Sequence, residues 1–311
     1  MIPDSTAAQY RSNGWWSDTT VVDDFLAMVD QQPDATAVVS YRAGQQRPER
    51  HTYAELELLS RRVAAALIDL GVEKGDVVSL QLPNGWQFPA IAYGIMRAGA
   101  VVNPLVPIFR QRELEFILRR TESSVLFVPE TWRNFRYAAM ATELRSTVTT
   151  LEEVITVDGS LDGTISFDEF VIGTPWEGQH DATTPTGKLA LDQQLTARRP
   201  QADDLMQIQF TSGTTGEPKG VLHSHNTVFS GSRAVDEIYG LTAEDTCFMA
   251  STLAHQTGFG YGMTKPLGMG MTVVYQDVWD ADALLDAIET EQISWTVSAT
   301  AFAMDLVAAQ Q

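Results

Sequence analysis

The sequence predicts an α/β fold in which mainly parallel strands lie under covering helices. Three observations carry this. Segments with helical apolar spacing alternate with short β-rich segments through the first half. The composition, 44% hydrophobic and 20% charged, is that of a folded protein. A chain of 311 residues buries a sizeable core without disulfides or metals.

The elements follow in order. Val21, Val22, Phe25, Leu26 and Val29 stand at helical spacing, with Pro33 beyond. Residues 35–41 (ATAVVSY) read as a strand. Thr52 and Glu55 form a T-x-x-E capping box, because hydroxyl and carboxylate each take an orphan N–H of the first turn. The helix it opens carries Leu56, Leu59, Val63, Leu67 and Leu70 on one face. Gly71 is suited to end it, since it takes positive φ without a Cβ clash. A strand at 77–82, an apolar helix at 86–98 and a short extended segment at 101–103 come next. An amphipathic helix is expected at 111–120, a strand at 125–128, a helix at 135–145 and a strand at 154–157. Residues 158–202, rich in Gly, Thr, Pro, Gln and Asp, read as a connecting region, partly disordered. Beyond it, strands are expected at 205–210, 221–225, 247–251, 272–275 and 293–297. Helices are expected from Asn226 or Thr227 to about Tyr239, at 281–291 and at 301–311.

Charge and cysteine content exclude several classes. Net charge is −19, from 40 acids against 21 bases, so a duplex-coating basic face is absent and nucleic acid is not an expected partner. Cys247 is the single cysteine, which excludes an intrachain disulfide and fits a reducing compartment. There is no basic start followed by an apolar run, and no stretch of about 20 mostly apolar residues, so no transmembrane segment is expected and the chain reads as cytoplasmic. Acids concentrate toward the end: residues 201–311 hold 14 acids and three bases, Lys219, Arg233 and Lys265.

Against that background, residues 211–220 (TSGTTGEPKG) stand out. They place four hydroxyls, three glycines and one lysine directly after a strand. Glycines let backbone N–H groups converge on an anion, hydroxyls add donors, and lysine adds a mobile positive charge. The loop departs from G-x-x-x-x-G-K-[ST]: counting from Gly213, Pro218 occupies the second glycine position and Gly220 follows Lys219. His223 and His225, at i and i+2 on a strand, are too few for a metal site and are expected to meet backbone or water.

The stretch FTSGTTGEPKGVLHSHN resembles the phosphate-binding signature of the AMP-forming, adenylate-forming enzymes. These include acyl-CoA synthetases, peptide-synthetase adenylation domains and firefly-type luciferases. T-Y-A-E-L at 52–56, L-G-V-E-K-G-D at 70–76 and G-A-V-V-N-P at 99–104 are similar to the family's early motifs. N-P-L-V-P-I-F-R at 103–110 and G-W-W at 14–16 resemble acyl-CoA ligases of the cyclohexanecarboxylate and medium-chain fatty-acid kind. The resemblance implies two mainly parallel sheets covered by helices. It also implies a two-step reaction using ATP, Mg²⁺ and coenzyme A: a carboxylic acid becomes acyl-AMP, then acyl-CoA. It assigns Thr211, Ser212, Gly213, Thr214, Thr215, Gly216 and Lys219 to the ATP phosphates, with Lys219 stabilising departing pyrophosphate.

Residues 252–258 (TLAHQTG) resemble the family's P-L-x-H-x-x-G, with Thr252 where proline is expected. The resemblance assigns His255, Gly258, Phe259 and Gly262 to the acyl pocket. If a helix follows, His255, Phe259 and Gly262 share a face. The glycines would leave room for an acyl group. No metal ligand is expected within the chain. The family's later motifs are not found among residues 262–311. The chain is therefore expected to be a partial N-terminal AMP-binding domain, inactive alone, without the C-terminal domain. Its expected parts are a first α/β unit at 1–157, the connecting region at 158–202, and a phosphate-loop and acyl-pocket unit at 203–311. Two alternatives stay open: an acyl-AMP ligase that loads a carrier protein, and a non-catalytic nucleotide- or acyl-binding homologue.

Overall fold

A computed structural model describes residues 4–176, 190–211 and 218–311. Helix α1 (Asp4–Ser12) precedes α2 (Val21–Gln31), which Thr20 and Asp23 cap reciprocally. Thr52 and Glu55 cap α3 (Tyr53–Asp69) in the same way, as T-x-x-E predicts. Gly71, with φ +86°, follows its end.

Among the described residues, two sheets form. One has seven strands. These are β3 (Val77–Leu80), β4 (Val101–Pro104), β5 (Val125–Pro129), β6 (Glu153–Val157), β7 (Ile165–Ser166), β8 (Leu205–Thr211) and β9 (Lys219–Ser224). Their spatial order is β7-β6-β5-β3-β4-β8-β9. All neighbours pair in parallel except β9, which turns back antiparallel on β8. The other sheet has five strands: β1 (Thr36–Tyr41), β2 (Glu49–Thr52), β10 (Thr246–Met249), β11 (Thr272–Gln276) and β12 (Trp295–Thr296). Their order is β12-β10-β11-β1-β2, and only β2 is antiparallel.

Strand pairing runs across the expected division at residues 157 and 203. Strand β1, from the first part of the chain, pairs with β11 from the last, and β8 and β9 complete the sheet begun by β3 to β6. A parallel neighbour is reached by a crossover, so sequence proximity does not decide which strands pair. The connecting region also holds structure: β7, a π-helical turn at Phe167–Ile172, and helix α7 (Leu191–Arg198).

The main core lies between the two sheets. There α3 packs on α4 (Gln87–Arg97), whose every residue is buried. A helix apolar nearly all round belongs in such a layer. Gly94 permits the close approach, since a Cβ there would lie 2.4 Å from the Cβ of Val63. Beyond the seven-stranded sheet, α5 (Gln111–Thr121) and α6 (Tyr137–Arg145) cover its other face through Leu114, Ile117, Ala141 and Leu144. Beyond the five-stranded sheet, α11 (Ala281–Thr290) packs Leu284 and Ala287 on Val39, Phe248 and Val274. The remaining helices are α8 (His225–Tyr239), α9 (Gln256–Phe259), α10 (Lys265–Met269) and α12 (Thr300–Ala309). Among the described residues, no helix is long and apolar enough to cross a membrane.

Candidate functional site

The carboxyl ends of strands from both sheets meet on one face. Arg42, just after β1, pairs with Asp158, just after β6, at 2.8 Å. The Asn84 side chain, in the loop after β3, reaches the segment after β10. A cleft of about 180 Å³ lies there, bordered by Arg42, Asn84, Gln87, Trp132, Asp158 and Asp277. The carboxyl edge is where open parallel sheets characteristically bind ligands, because their loops converge there.

The glycine–hydroxyl loop opens from this edge. Strand β8 ends at Thr211, and β9 begins at Lys219 as its cross-strand partner. The Thr211 hydroxyl donates to the Lys219 carbonyl at 3.5 Å, and both residues are exposed. Gly220 lies opposite Phe210, where a Cβ would meet the ring at 3.2 Å, so the hairpin closes tightly behind its mouth. Ser212, Gly213, Thr214, Thr215 and Gly216 lie outside the described residues.

Each histidine after the loop meets a local protein group, His225 a backbone N–H and His223 a side-chain hydroxyl. His225 is buried, and its Nδ1 accepts the Val21 N–H at 3.3 Å. Burial pushes its pKa down to about 4, so the ring is neutral at pH 7. Asn226 beside it accepts the Ser17 N–H and donates to Asp203. Together they fasten the N-terminal segment to β8 and α8. His223 is half-buried beside the Thr227 hydroxyl, 3.4 Å away, and burial lowers its pKa. Among the described residues, no group of three or more His, Cys, Asp or Glu side chains could hold a metal ion.

His255 is exposed and caps α9, with its Nδ1 accepting the Thr257 N–H at 3.3 Å. That bond leaves the proton of the neutral ring on Nε2. A helix does follow the motif, unbroken from Gln256 to Met269, but it is not α-helical throughout. After one turn the chain passes into a π-helical segment, Gly260–Thr264, and then into α10. The three positions therefore do not share the face that 3.6-residue spacing implies. Two of the glycines are packed closely by the protein itself. A Cβ on Gly258 would lie 2.1 Å from the Thr252 carbonyl oxygen, and one on Gly262 would lie 2.4 Å from Cγ of Met249. Phe259 is fully buried, edge-on to Phe88. Gly258, Phe259 and Gly262 thus back the segment by packing, and His255 alone of the four reaches the surface.

Sequence reading missed two buried amides that join these parts. Asn84 donates Nδ2 to the carbonyls of Met249 (3.3 Å) and Ser251 (3.0 Å), and its Oδ1 accepts the Leu253 N–H at 2.8 Å. Gln209 donates Nε2 to the Ala254 carbonyl at 2.9 Å and accepts from Gln207 at 3.2 Å. Asn84 stands in a P-N-G turn signal, and Gln207 and Gln209 alternate with apolar residues like a solvated face. Only the second sheet reveals that all three are covered.

Comparison with known proteins identifies the family. The family model described as "AMP-binding enzyme" matches residues 25–311. The chain belongs to the AMP-binding enzyme family. Within it, the medium-chain fatty-acid–CoA ligase of Escherichia coli is 30% identical, over 96% of this chain and 50% of its own length. The salicyl-AMP ligase/salicyl-S-ArCP synthetase of Mycobacterium tuberculosis is also 30% identical, over 97% of this chain and 50% of its own length. Among solved structures, the apo structure of Mycobacterium smegmatis MbtA superposes with a TM-score of 0.80 at 28% identity. It covers 99% of this chain and 53% of that one. The AMP-binding chain thus spans about half the length of the relatives it matches. Its two mainly parallel sheets flanked by helices are those of adenylate-forming enzymes, and its relatives include both CoA ligases and an acyl-AMP ligase.

Proposed function

We propose that this chain provides the ATP-phosphate side and part of the acid side of an acyl-CoA ligase acting on a carboxylic acid of the cyclohexanecarboxylate or medium-chain class. The observation that carries the reading is the β8–β9 hairpin, which sets Thr211 and Lys219 opposite each other at the carboxyl edge. The Gln209 bond to Ala254 holds the His255 segment beside it. In the first step a carboxylate oxygen bonds to the α-phosphorus of ATP, and the bond to the β-phosphate bridging oxygen breaks. Pyrophosphate leaves with the electron pair. Lys219, the Thr211 hydroxyl and the loop from Ser212 to Gly216 offset the charge gathering on that leaving group. The coenzyme A thiolate then bonds to the acyl carbon, and AMP leaves. Mg²⁺ would enter with the ATP phosphates, whose oxygens supply its ligands.

His255, with its Nε2–H free of the capping bond, is the side chain proposed to face the acid. Gly258, Phe259 and Gly262 hold it in place from behind. The salicyl-AMP relative, as similar in identity as the CoA ligase, keeps carrier-protein loading as a second reading. Amide NMR of the chain titrated with Mg·ATP tests the first reading. Resonances of Thr211 and Lys219 should shift, and Lys219→Ala should weaken the response about tenfold, the scale of one charge-assisted phosphate contact. No shift at the hairpin, or an unchanged titration in Lys219→Ala, overturns it. Where acyl-AMP forms, transfer to coenzyme A or to a carrier protein distinguishes the two acceptors.

A further inference from the structure

We infer that Gln209 and Asn84 are positioning residues that tie the His255 segment to the seven-stranded sheet, so that events at the Thr211–Lys219 hairpin mouth are felt at His255. The inference rests on the proposed reading of that hairpin as the phosphate-binding element.

The end of β10 and the segment after it belong by sequence to the five-stranded sheet, yet four of their backbone polar groups are bound to side chains of the other sheet and its β3 loop. Asn84 holds the carbonyls of Met249 and Ser251 and the N–H of Leu253, and Gln209 holds the carbonyl of Ala254. Both amides are almost fully buried, Gln209 at 3% exposure and Asn84 at 8%. Water therefore does not readily replace these bonds, and a backbone group left without its partner here is costly. Gln209 lies two residues before Thr211 on the same strand, and Ala254 directly precedes His255. The path from hairpin mouth to imidazole is thus one strand end, one hydrogen bond and one peptide unit. Gln207 extends it backward, donating to Gln209. Among the described residues its own Oε1 has no partner. The Gln209 amide is therefore oriented from behind by a neighbour that makes no competing bond through its oxygen.

The test reads His255 directly. In the wild-type chain, Mg·ATP should perturb the amides of Thr211 and Lys219 and also move the His255 Cε1–H resonance, assigned by its absence in His255→Gln. Gln209→Met keeps the side-chain volume and removes the bond to Ala254. Asn84→Ala releases the segment from the loop after β3. In each, the hairpin response should persist, while the His255 response falls, about fivefold in Gln209→Met, the factor one net hydrogen bond carries, and at least as far in Asn84→Ala, which loses three. A merely structural role would lower stability without separating the two responses. If one variant fails to fold, the other carries the test. A full His255 response in any folded variant overturns the inference and leaves the phosphate reading intact. If ATP leaves Thr211 and Lys219 unperturbed in the wild type, that reading fails and the inference falls with it.

Discussion

At the scale of single residues, two positions change meaning once the fold is known. Gly258 reads in sequence as room for a substrate, but a side chain there collides with the Thr252 carbonyl at 2.1 Å. Gly258→Ala is therefore expected to destabilise the fold by about 1–3 kcal/mol, the cost of overpacking a filled site. A urea midpoint checks this. A shift in acid preference without a loss of stability would restore the pocket-wall reading. His225 gives a pH signature. Its pKa of about 4 in the folded chain lies below the ~6.5 of an unfolded histidine, so between these values the unfolded state binds the extra proton. The contribution is fully present above pH 6.5 and is lost as pH falls toward 4, about 3 kcal/mol in all. Protonation also turns Nδ1 into a donor facing the Val21 N–H. Urea unfolding from pH 4 to 7 should show a steeper acid loss in the wild type than in His225→Gln, and parallel curves would refute the assignment.

At the scale of elements, the sequence is legible where local chemistry decides. The Thr52–Glu55 box and Gly71 mark the ends of α3, and continuous apolar runs mark β5 and α4. Strand β2 (ERHT) escapes because its burial is only partial and its pairing with β1 comes from tertiary structure. The π-helical turns escape because apolar spacing carries no mark for them. The family is legible in the glycine–hydroxyl stretch, whose hydroxyls and glycines stand in the order of its signature. Asn84 and Gln209 are illegible because their burial depends on a second sheet. Packing between α3 and α4 supplies an element-scale prediction. Gly94→Ala should cost about 1–3 kcal/mol, because the added methyl meets Cβ of Val63 and the Ser60 carbonyl, neither a mobile side-chain end. A variant of unchanged denaturant midpoint would show that the two helices separate freely.

At the scale of the whole molecule, the chain is acidic overall, yet among the described residues an apolar sheet edge is exposed. Strand β9 ends the seven-stranded sheet with Val221 and Leu222 exposed, and α12 presents Met304 and Val307. A free edge strand with apolar side chains offers unpaired backbone groups to another chain. The isolated chain is therefore expected to associate as its concentration rises despite its net charge of −19. Leu222→Lys should shift sedimentation toward the monomer, whereas association unchanged by that substitution would place the contact elsewhere.

The interleaving of the two sheets also bears on how the protein is born. Strand β1 emerges from the ribosome early, but its parallel neighbour β11 is made more than 200 residues later. At about 5–20 residues per second, β1 waits on the order of 10 seconds or more for that partner. Strand β4 likewise waits for β8. During that interval Val38 and Val39, fully buried in the finished fold, have only the antiparallel strand β2 to pair with and no second neighbour. Pairings between such distant segments form slowly, because the long intervening loop must close first. Nascent chains of this protein should therefore depend on holding chaperones until residue 276 has cleared the exit tunnel, and ribosome-bound lengths ending before β11 should stay protease-sensitive at β1.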